Sequence, residues 1–242
     1  EGHGSRSATV VDPFGHRWML SGPVAGAVSP IRHGDIGYVS VWTDDPERSA
    51  AFYGHVLGWR CDPTSRRVTN TDQPIGIVAM PGSPTLFCCY AVTDVAAARQ
   101  AILDEGGEAG EISQTPHGPT VDAVDPAGTA FAVYQPTSSD PRPALNGTGP
   151  GELSYVTFMV TDSATFRRFY GRVLGWTFEP GRVDDGWEPR SVHPMAGVAG
   201  GNAEPVTVPM WTVADIESAV QRVREAGGTV IEEPSAQSYG SS

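Results

Sequence analysis

The octapeptide FYGHVLGW at residues 52–59 returns as FYGRVLGW at residues 169–176, and this internal repeat decides how the chain is organised. A second signature repeats in the same order. VTDV at residues 92–95 opens a segment that ends in EGG, and VADI at residues 213–216 opens one that ends in AGG. The sequence therefore predicts two copies of one structural unit.

A third signature also repeats, but its second copy lies before the complete unit and not after it. AVDPAGTAFAV at residues 123–133 matches VVDPFGHRWML at residues 10–20, so the opening stretch has the sequence of a hairpin that closes a unit. After Pro234 the second unit continues as SAQSYGSS, where two closing strands are expected. Two explanations fit: a circular permutation, in the same chain or by exchange between chains, or a chain cut from a longer tandem array. Permutation is the more economical, because an unfinished sheet exposes a long apolar edge.

These repeats predict a division of the chain into five segments. Residues 1–22 are the closing strands that complete the second unit, and residues 23–34 are a linker. Residues 35–136 form a complete unit, residues 137–151 a second linker, and residues 152–242 the second unit without its last strands. Both linkers are rich in proline and glycine, which is typical of connecting segments.

Local patterns predict an α+β fold in which each unit runs strand, helix and three strands, twice over. GYVSVWT at residues 37–43 alternates as a strand does. An aspartate then stands at the start of each predicted helix, where its carboxylate satisfies free backbone N–H groups. These capping residues are Asp45, Asp94, Asp162 and Asp215.

Composition limits the classes of function. With 39% apolar and 18% charged residues the chain is an ordinary globular protein, and it has no apolar run long enough to cross a membrane. A net charge of −12 disfavours nucleic acid and anionic membranes as partners. The three cysteines lack the spacing of a zinc site, and without a signal peptide we expect a cytoplasmic protein.

Three segments carry a resemblance to a known group: TDDPERSAAFYGHVLGW (residues 43–59), VDPAGTAFAVYQP (residues 124–136) and VADIESAVQRVREAGGTV (residues 213–230). They are similar to the vicinal oxygen chelate superfamily, which includes glyoxalase I, bleomycin resistance proteins and extradiol dioxygenases. The paired units look most like actinobacterial two-domain glyoxalase-like or antibiotic hydroxylase-like proteins. The resemblance implies paired βαβββ modules that curl into cupped mixed sheets.

The resemblance also implies where a metal would bind: His, Gln or Glu on the first strand of each module, and Glu on a last strand. None of the six residues at these positions is such a ligand, although divalent metals need oxygen or imidazole donors. The positions fall on Tyr38, Phe87, Ala132, Tyr155, Val208 and Met19. The sequence therefore predicts no catalytic residue and no cofactor, and disfavours glyoxalase and dioxygenase chemistry.

The inward-facing positions instead offer aromatic and sulfur surface, on which planar or cationic molecules bind well. The candidate ligand-binding residues are Tyr38, Ser40, Trp42, Phe87 and Tyr134 in the complete unit, with Tyr155, Met159, Met210, Met19 and the nearby His193 in the other. We expect a metal-free protein, monomeric or homodimeric, that sequesters a small organic molecule such as a drug-like natural product.

Two alternatives stay open at this point. The first is a lyase or oxygenase that holds a divalent metal at non-standard ligands such as His193, Glu152 or Glu188. The second is a scaffold whose cups are filled by their own side chains, since alternation in a strand cannot separate a packed cup from an empty one.

Overall fold

The computed structural model describes residues 5–11, 17–23, 29–82, 85–137, 141–142, 149–234, 236–237 and 240–241, with side chains in 30–82, 85–137 and 149–234. Within these ranges no helix combines the length and the apolar character needed to cross a bilayer.

The described residues contain the expected pair of helices in each unit. They are α1 (Pro46–Leu57), α2 (Val95–Asp104), α3 (Ser163–Leu174) and α4 (Ile216–Glu225). Each follows its predicted aspartate cap. The Asp94 carboxylate, for example, accepts the N–H groups of Ala96 and Ala97, both at 2.9 Å. Helices α1 and α3 end at Gly58 and Gly175, whose φ angles of 76° and 68° are left-handed.

The opening residues form a hairpin. Strands β1 (Ser5–Val11) and β2 (Arg17–Pro23) pair along their whole length as a two-stranded sheet of their own. The turn between them lies outside the described residues. Strand β3 (Ser29–Pro30) follows in the first predicted linker and pairs with β11 (Pro141–Arg142) in the second. That the opening residues complete the second unit stays a prediction.

The first unit forms a seven-stranded mixed sheet in the order β5-β4-β6-β10-β9-β7, with β8 also paired to β9. Its strands are β4 (Ile36–Thr43), β5 (Ile75–Ala79), β6 (Thr85–Ala91), β7 (Glu108–Ala109), β8 (Ser113–Thr115), β9 (Gly118–Val124) and β10 (Ala130–Tyr134). The first strand of each module is parallel to the last, and the two first strands, β4 and β6, pair antiparallel. In place of the predicted short strands between α1 and β5, the structure has two isolated bridges, Cys61 with Val68 and Arg67 with Gly76 of β5.

The second unit forms a five-stranded sheet in the order β13-β14-β15-β12-β16. Its strands are β12 (Leu153–Met159), β13 (Thr177–Pro180), β14 (Gly186–Arg190), β15 (Met195–Ala199) and β16 (Val206–Trp211); β17 (Ala236–Gln237) and β18 (Gly240–Ser241) pair with each other. Strand β16 lies at the edge of its sheet, whereas its counterpart β6 lies between β4 and β10. The mixed sheets and repeated modules confirm the predicted α+β fold.

The two units share one hydrophobic core, in which α1 packs against α4 and α2 against α3. The tryptophan that ends each repeated octapeptide is buried at this junction. Trp59 Nε1 donates to the Gly151 carbonyl at 2.9 Å, and Trp176 Nε1 donates to the Gly34 carbonyl at 3.0 Å. Each unit therefore binds the chain segment that leads into the other.

Candidate functional site

The face of the first sheet that points away from the helices carries most of the predicted cup residues. Phe87 and Ala132 are buried there together with Cys89, beneath the half-buried rings of Tyr38 and Trp42. Tyr134 packs against the same cluster, and Ser40 on the neighbouring strand position is 1% exposed. The structure therefore brings the five predicted residues of this unit to one face of the sheet.

The side chains of this first cup pack closely on one another. Trp42 and Phe87 stack with ring centroids 4.6 Å apart and 13° between their planes. Because each ring already covers one face of the other, less aromatic surface is free for a ligand.

A polar contact spans the first cup. Arg67 Nη2 lies 2.7 Å from His117 Nε2 and so links the segment beside β5 to the turn between β8 and β9, at the opposite end of the sheet order. Burial raises the pKa of Tyr38 beneath it, while a hydrogen bond with Ser40 and the charge of Arg67 act in the opposite direction. The phenol therefore stays protonated at neutral pH.

The second sheet is different, because the face that carries Tyr155 is open. Tyr155 on β12 lies opposite Met195 on β15 and Met210 on β16, so the three side chains form a row across adjacent strands. Met195 is 60% exposed and Met210 is 47% exposed. We call this row the Met–Tyr–Met strip; the spacing of three strands makes it roughly 10 Å wide.

Apolar and charged side chains surround the Met–Tyr–Met strip. Val206 and Val208 on β16 are exposed beside it, and Met159 on β12 lies opposite Val206. Burial raises the pKa of Tyr155; the charge of Glu188 raises it further, and the charge of Arg182 acts in the opposite direction. The strip is thus an apolar surface with both signs of charge at its margin.

The remaining predicted residues lie elsewhere. His193 is at the junction of the units, where its carbonyl accepts the N–H of Ile36 at 2.9 Å, and Glu152 accepts the N–H of Gly149 at 3.1 Å. In the ranges with described side chains, no three His, Cys, Asp or Glu residues come close enough to hold a metal ion, so the alternative ligand set is not assembled. Met19 belongs to β2, whose side chains are outside the described ranges.

Three residues of the open face were not among the candidate ligand-binding residues: Met195, Val206 and Val208, the last of which was considered only as a metal-ligand position. A signal was available for each. VTVPMW alternates so that Val206, Val208 and Met210 share one face, and Met195 begins a strand in which Gly197 is the next residue on its side.

The glyoxalase-like domain family matches residues 38–134 and 155–240, which is most of the chain. The chain belongs to the glyoxalase-like domain family. With its paired modules it is a member of the vicinal oxygen chelate superfamily, as the resemblance implied.

Two curated relatives come from streptomycetes. The glyoxalase-like chain is 30% identical over 172 residues to anthracycline biosynthesis protein DauV of Streptomyces sp. (strain C5), covering 63% of this chain and 58% of the relative. It is 30% identical over 170 residues to anthracycline biosynthesis protein DnrV of Streptomyces peucetius, with the same two shares. The matched part thus spans 58% of the length of these relatives.

Solved structures with the same fold include two enzymes. A Mn(II)-bound glyoxalase from Novosphingobium aromaticivorans has a TM-score of 0.62 at 18% identity and covers 85% of this chain and 74% of its own. The 2,2',3-trihydroxybiphenyl 1,2-dioxygenase of Sphingomonas wittichii strain RW1 has a TM-score of 0.60 at 15% identity, with 86% and 83% covered. The prediction of no cofactor is therefore wrong, because these metal-dependent neighbours point to a divalent metal in the family.

The family metal can be tested against the residues at the corresponding positions. Phe87, Ala132 and Val208 carry no donor atom, and the two tyrosines, Tyr38 and Tyr155, hold phenols whose raised pKa keeps the proton on the oxygen. Divalent metals of this kind prefer carboxylate and imidazole ligands. These positions do not fit the metal, and we derive no step through it.

Proposed function

We propose that this glyoxalase-like protein binds and retains a planar, largely apolar organic molecule on the Met–Tyr–Met strip. The observation that carries the proposal is the exposure of Met195 and Met210 on either side of Tyr155, on one face of the second sheet. Thioether side chains are polarisable and adapt their shape to a ligand ring. Contiguous exposed apolar surface of this kind is typical of binding sites.

The dimensions and charges of the strip favour a particular class of ligand. Its width of roughly 10 Å matches three or four fused aromatic rings better than a single ring. Glu188 and Arg182 at the margin supply charges of both signs for polar substituents. The names of the two streptomycete relatives, anthracycline biosynthesis proteins, support a polycyclic natural product as the ligand class.

The proposed activity is retention of the ligand by mass action. Binding lowers the free concentration of the ligand and stabilises the folded protein in proportion to occupancy. No covalent step is assigned to the strip.

Isothermal titration calorimetry with an anthracycline tests this proposal. We expect saturable binding by the unaltered chain, and little binding of a non-planar apolar compound of similar size. Replacing both methionines in the variant Met195→Ala/Met210→Ala removes contacts on both sides of the ring and weakens binding by about tenfold or more. The matched control is Ile231→Ala, an exposed apolar residue outside the strip, which leaves affinity unchanged. Absent binding, or equal binding by the double variant, overturns the proposal.

A further inference from the structure

We infer that the first cup binds a small aromatic carboxylate, whose anionic oxygen atoms lie between Arg67 and His117. The site is on the first sheet, so it is separate from the Met–Tyr–Met strip and does not depend on the ligand proposed there. Three features point to it: the direction of the Arg67 side chain, the absence of an acidic partner for it, and the opposite charge at the equivalent position of the second sheet.

The Arg67 side chain lies on the face of the first sheet that carries the cup. Arg67 forms an isolated bridge with Gly76 on β5, and residues paired in this way carry their side chains on the same face. Gly76 is also the glycine over which the hydroxyl end of Tyr38 lies. The guanidinium and the phenol are therefore neighbours.

The positive charge of Arg67 is not balanced by an acid. Arg67 Nη2 donates to His117 Nε2 at 2.7 Å, and because a guanidinium has no acceptor atom, this imidazole nitrogen carries no proton. Elsewhere arginines pair with carboxylates, as Arg32 does with Asp35. Among the side chains that the structure describes, none of the ion pairs includes Arg67. An unbalanced cation is unusual in a chain with a net charge of −12.

The second sheet has the same geometry with the opposite charge. Trp187 on β14 pairs with Val198 on β15, and the same register continued by one residue puts Glu188 opposite Gly197. Gly197 lies beneath the hydroxyl end of Tyr155. A carboxylate thus stands in the second sheet at the position that a guanidinium occupies in the first.

These two charges act with opposite sign on equivalent tyrosines. Burial raises the pKa of both phenols, but the charge of Arg67 lowers the pKa of Tyr38, whereas the charge of Glu188 raises that of Tyr155. Arg182 opposes the effect of Glu188. An anionic group is therefore favoured beside Tyr38 and disfavoured beside Tyr155.

A second charge on the same face limits the ligand to one anionic group. Asp122 on β9 lies opposite Ala132, and its charge adds to the burial that raises the pKa of the Cys89 thiol to about 12. Asp122 forms no ion pair with Arg67. A molecule with one charged end fits this arrangement, whereas a dianion would bring its second charge towards Asp122.

The side chains of the site favour a carboxylate attached to a single ring. A guanidinium presents paired N–H groups that match the two oxygens of a carboxylate. The imidazole of His117 can place its proton on Nε2 and so become a second donor once an oxygen replaces the direct contact. The Tyr38 ring offers a surface for the apolar part, and the stacked pair of Trp42 and Phe87 leaves little room for fused rings.

NMR of the six histidine rings, with benzoate added to the full chain, tests this inference. We expect a saturable shift of the His117 signals at millimolar benzoate, the range of a charged contact at an exposed site, and none for His55 on α1. Benzyl alcohol, which has the ring without the charge, should give no saturable shift, and acetate should bind more weakly than benzoate. The absence of a His117 shift, or equal binding of benzyl alcohol or acetate, overturns the inference.

Variants of the exposed pair locate the anion. Arg67→Gln should weaken benzoate binding by at least about fivefold, and His117→Ala should also weaken it, with affinity then followed by calorimetry. The matched control is Arg60→Gln, an exposed arginine whose hydrogen bonds are made by its backbone. Affinity unchanged in Arg67→Gln, or a benzoate-induced shift of the Met210 methyl signal as large as that of His117, would contradict a site on the first sheet.

Discussion

The hydroxyl end of the Tyr155 side chain lies over Gly197 on the neighbouring parallel strand, so closely that a β-carbon on the glycine would displace the phenol. Tyr38 and Gly76 repeat this arrangement in the first sheet. Both tyrosines stand where the family resemblance places a first-strand metal ligand. Each glycine thus provides the space in which a phenol ring replaces that ligand.

Substituting these glycines one at a time distinguishes a ligand site on the second sheet from one on the first. Gly197→Ala forces the Tyr155 ring off its strand and breaks the Met–Tyr–Met strip, so we expect affinity for a planar ligand to fall by roughly fivefold to tenfold. The change in melting temperature should be small, because only the free end of a side chain must move. Gly76→Ala is the matched control: it displaces Tyr38 in the first cup and should leave affinity unchanged. Equal losses in both variants would contradict a site on the second sheet.

Trp59 and Trp176, at the junction of the units, should contribute about equally to the free energy of unfolding. Trp59→Phe or Trp176→Phe leaves a buried carbonyl, that of Gly151 or Gly34, without its donor, and each change should lower the free energy of unfolding by about 2 kcal/mol. Urea unfolding measures this loss. Trp187→Phe, whose Nε1 bonds Asp185 at an exposed position, is the control and should cost clearly less. A cost as large as that of the buried pair would contradict the role given to the junction.

The buried carboxyl of Asp125 gives a pH dependence of known sign. Burial raises its pKa, and the hydrogen bonds from Thr129, Ala127 and Tyr170 act against that rise. A carboxyl whose pKa is higher in the folded protein binds its proton more tightly there, so the free energy of unfolding falls as pH rises from the unfolded pKa to the folded pKa.

Tyr170→Phe removes one of the opposing hydrogen bonds and should extend this fall to higher pH, while Asp125→Asn should abolish the contribution altogether. Urea unfolding from pH 4 to pH 7, taken as the difference between each variant and the unaltered chain, measures both effects. An unchanged pH profile in Asp125→Asn would show that another group is responsible.

Much of the fold could be predicted because its signals are local. The aspartate caps and the glycines after α1 and α3 act within one turn of a helix. The repeated octapeptides indicate that the chain has two units. Alternation in β4 correctly placed Tyr38, Ser40 and Trp42 on one face, since side chains on a strand change sides with every residue.

Local patterns could not predict that the binding face of the first sheet is covered and that of the second sheet is open. Whether a ring is free or covered depends on strands far away in the sequence: Trp42 is covered by Phe87, while Met210 is exposed on an edge strand. The contacts of Trp59 with Gly151 and of Trp176 with Gly34 join segments from different units, which no local pattern encodes. The prediction of no cofactor was wrong for another reason: the divalent metal of the family is seen in the solved relatives and is not encoded by any single residue of this chain.

Methyl NMR of the five methionines tests the central claim most directly, because the chain supplies its own internal control. In a chain labelled at the methionine methyl carbons and titrated with an anthracycline, ring currents should shift the signals of Met195 and Met210 strongly and that of Met159 less. Met80, which follows β5 in the first unit, should not move. Shifts confined to Met80, or no shifts at all at saturating ligand, would contradict a binding site on the Met–Tyr–Met strip.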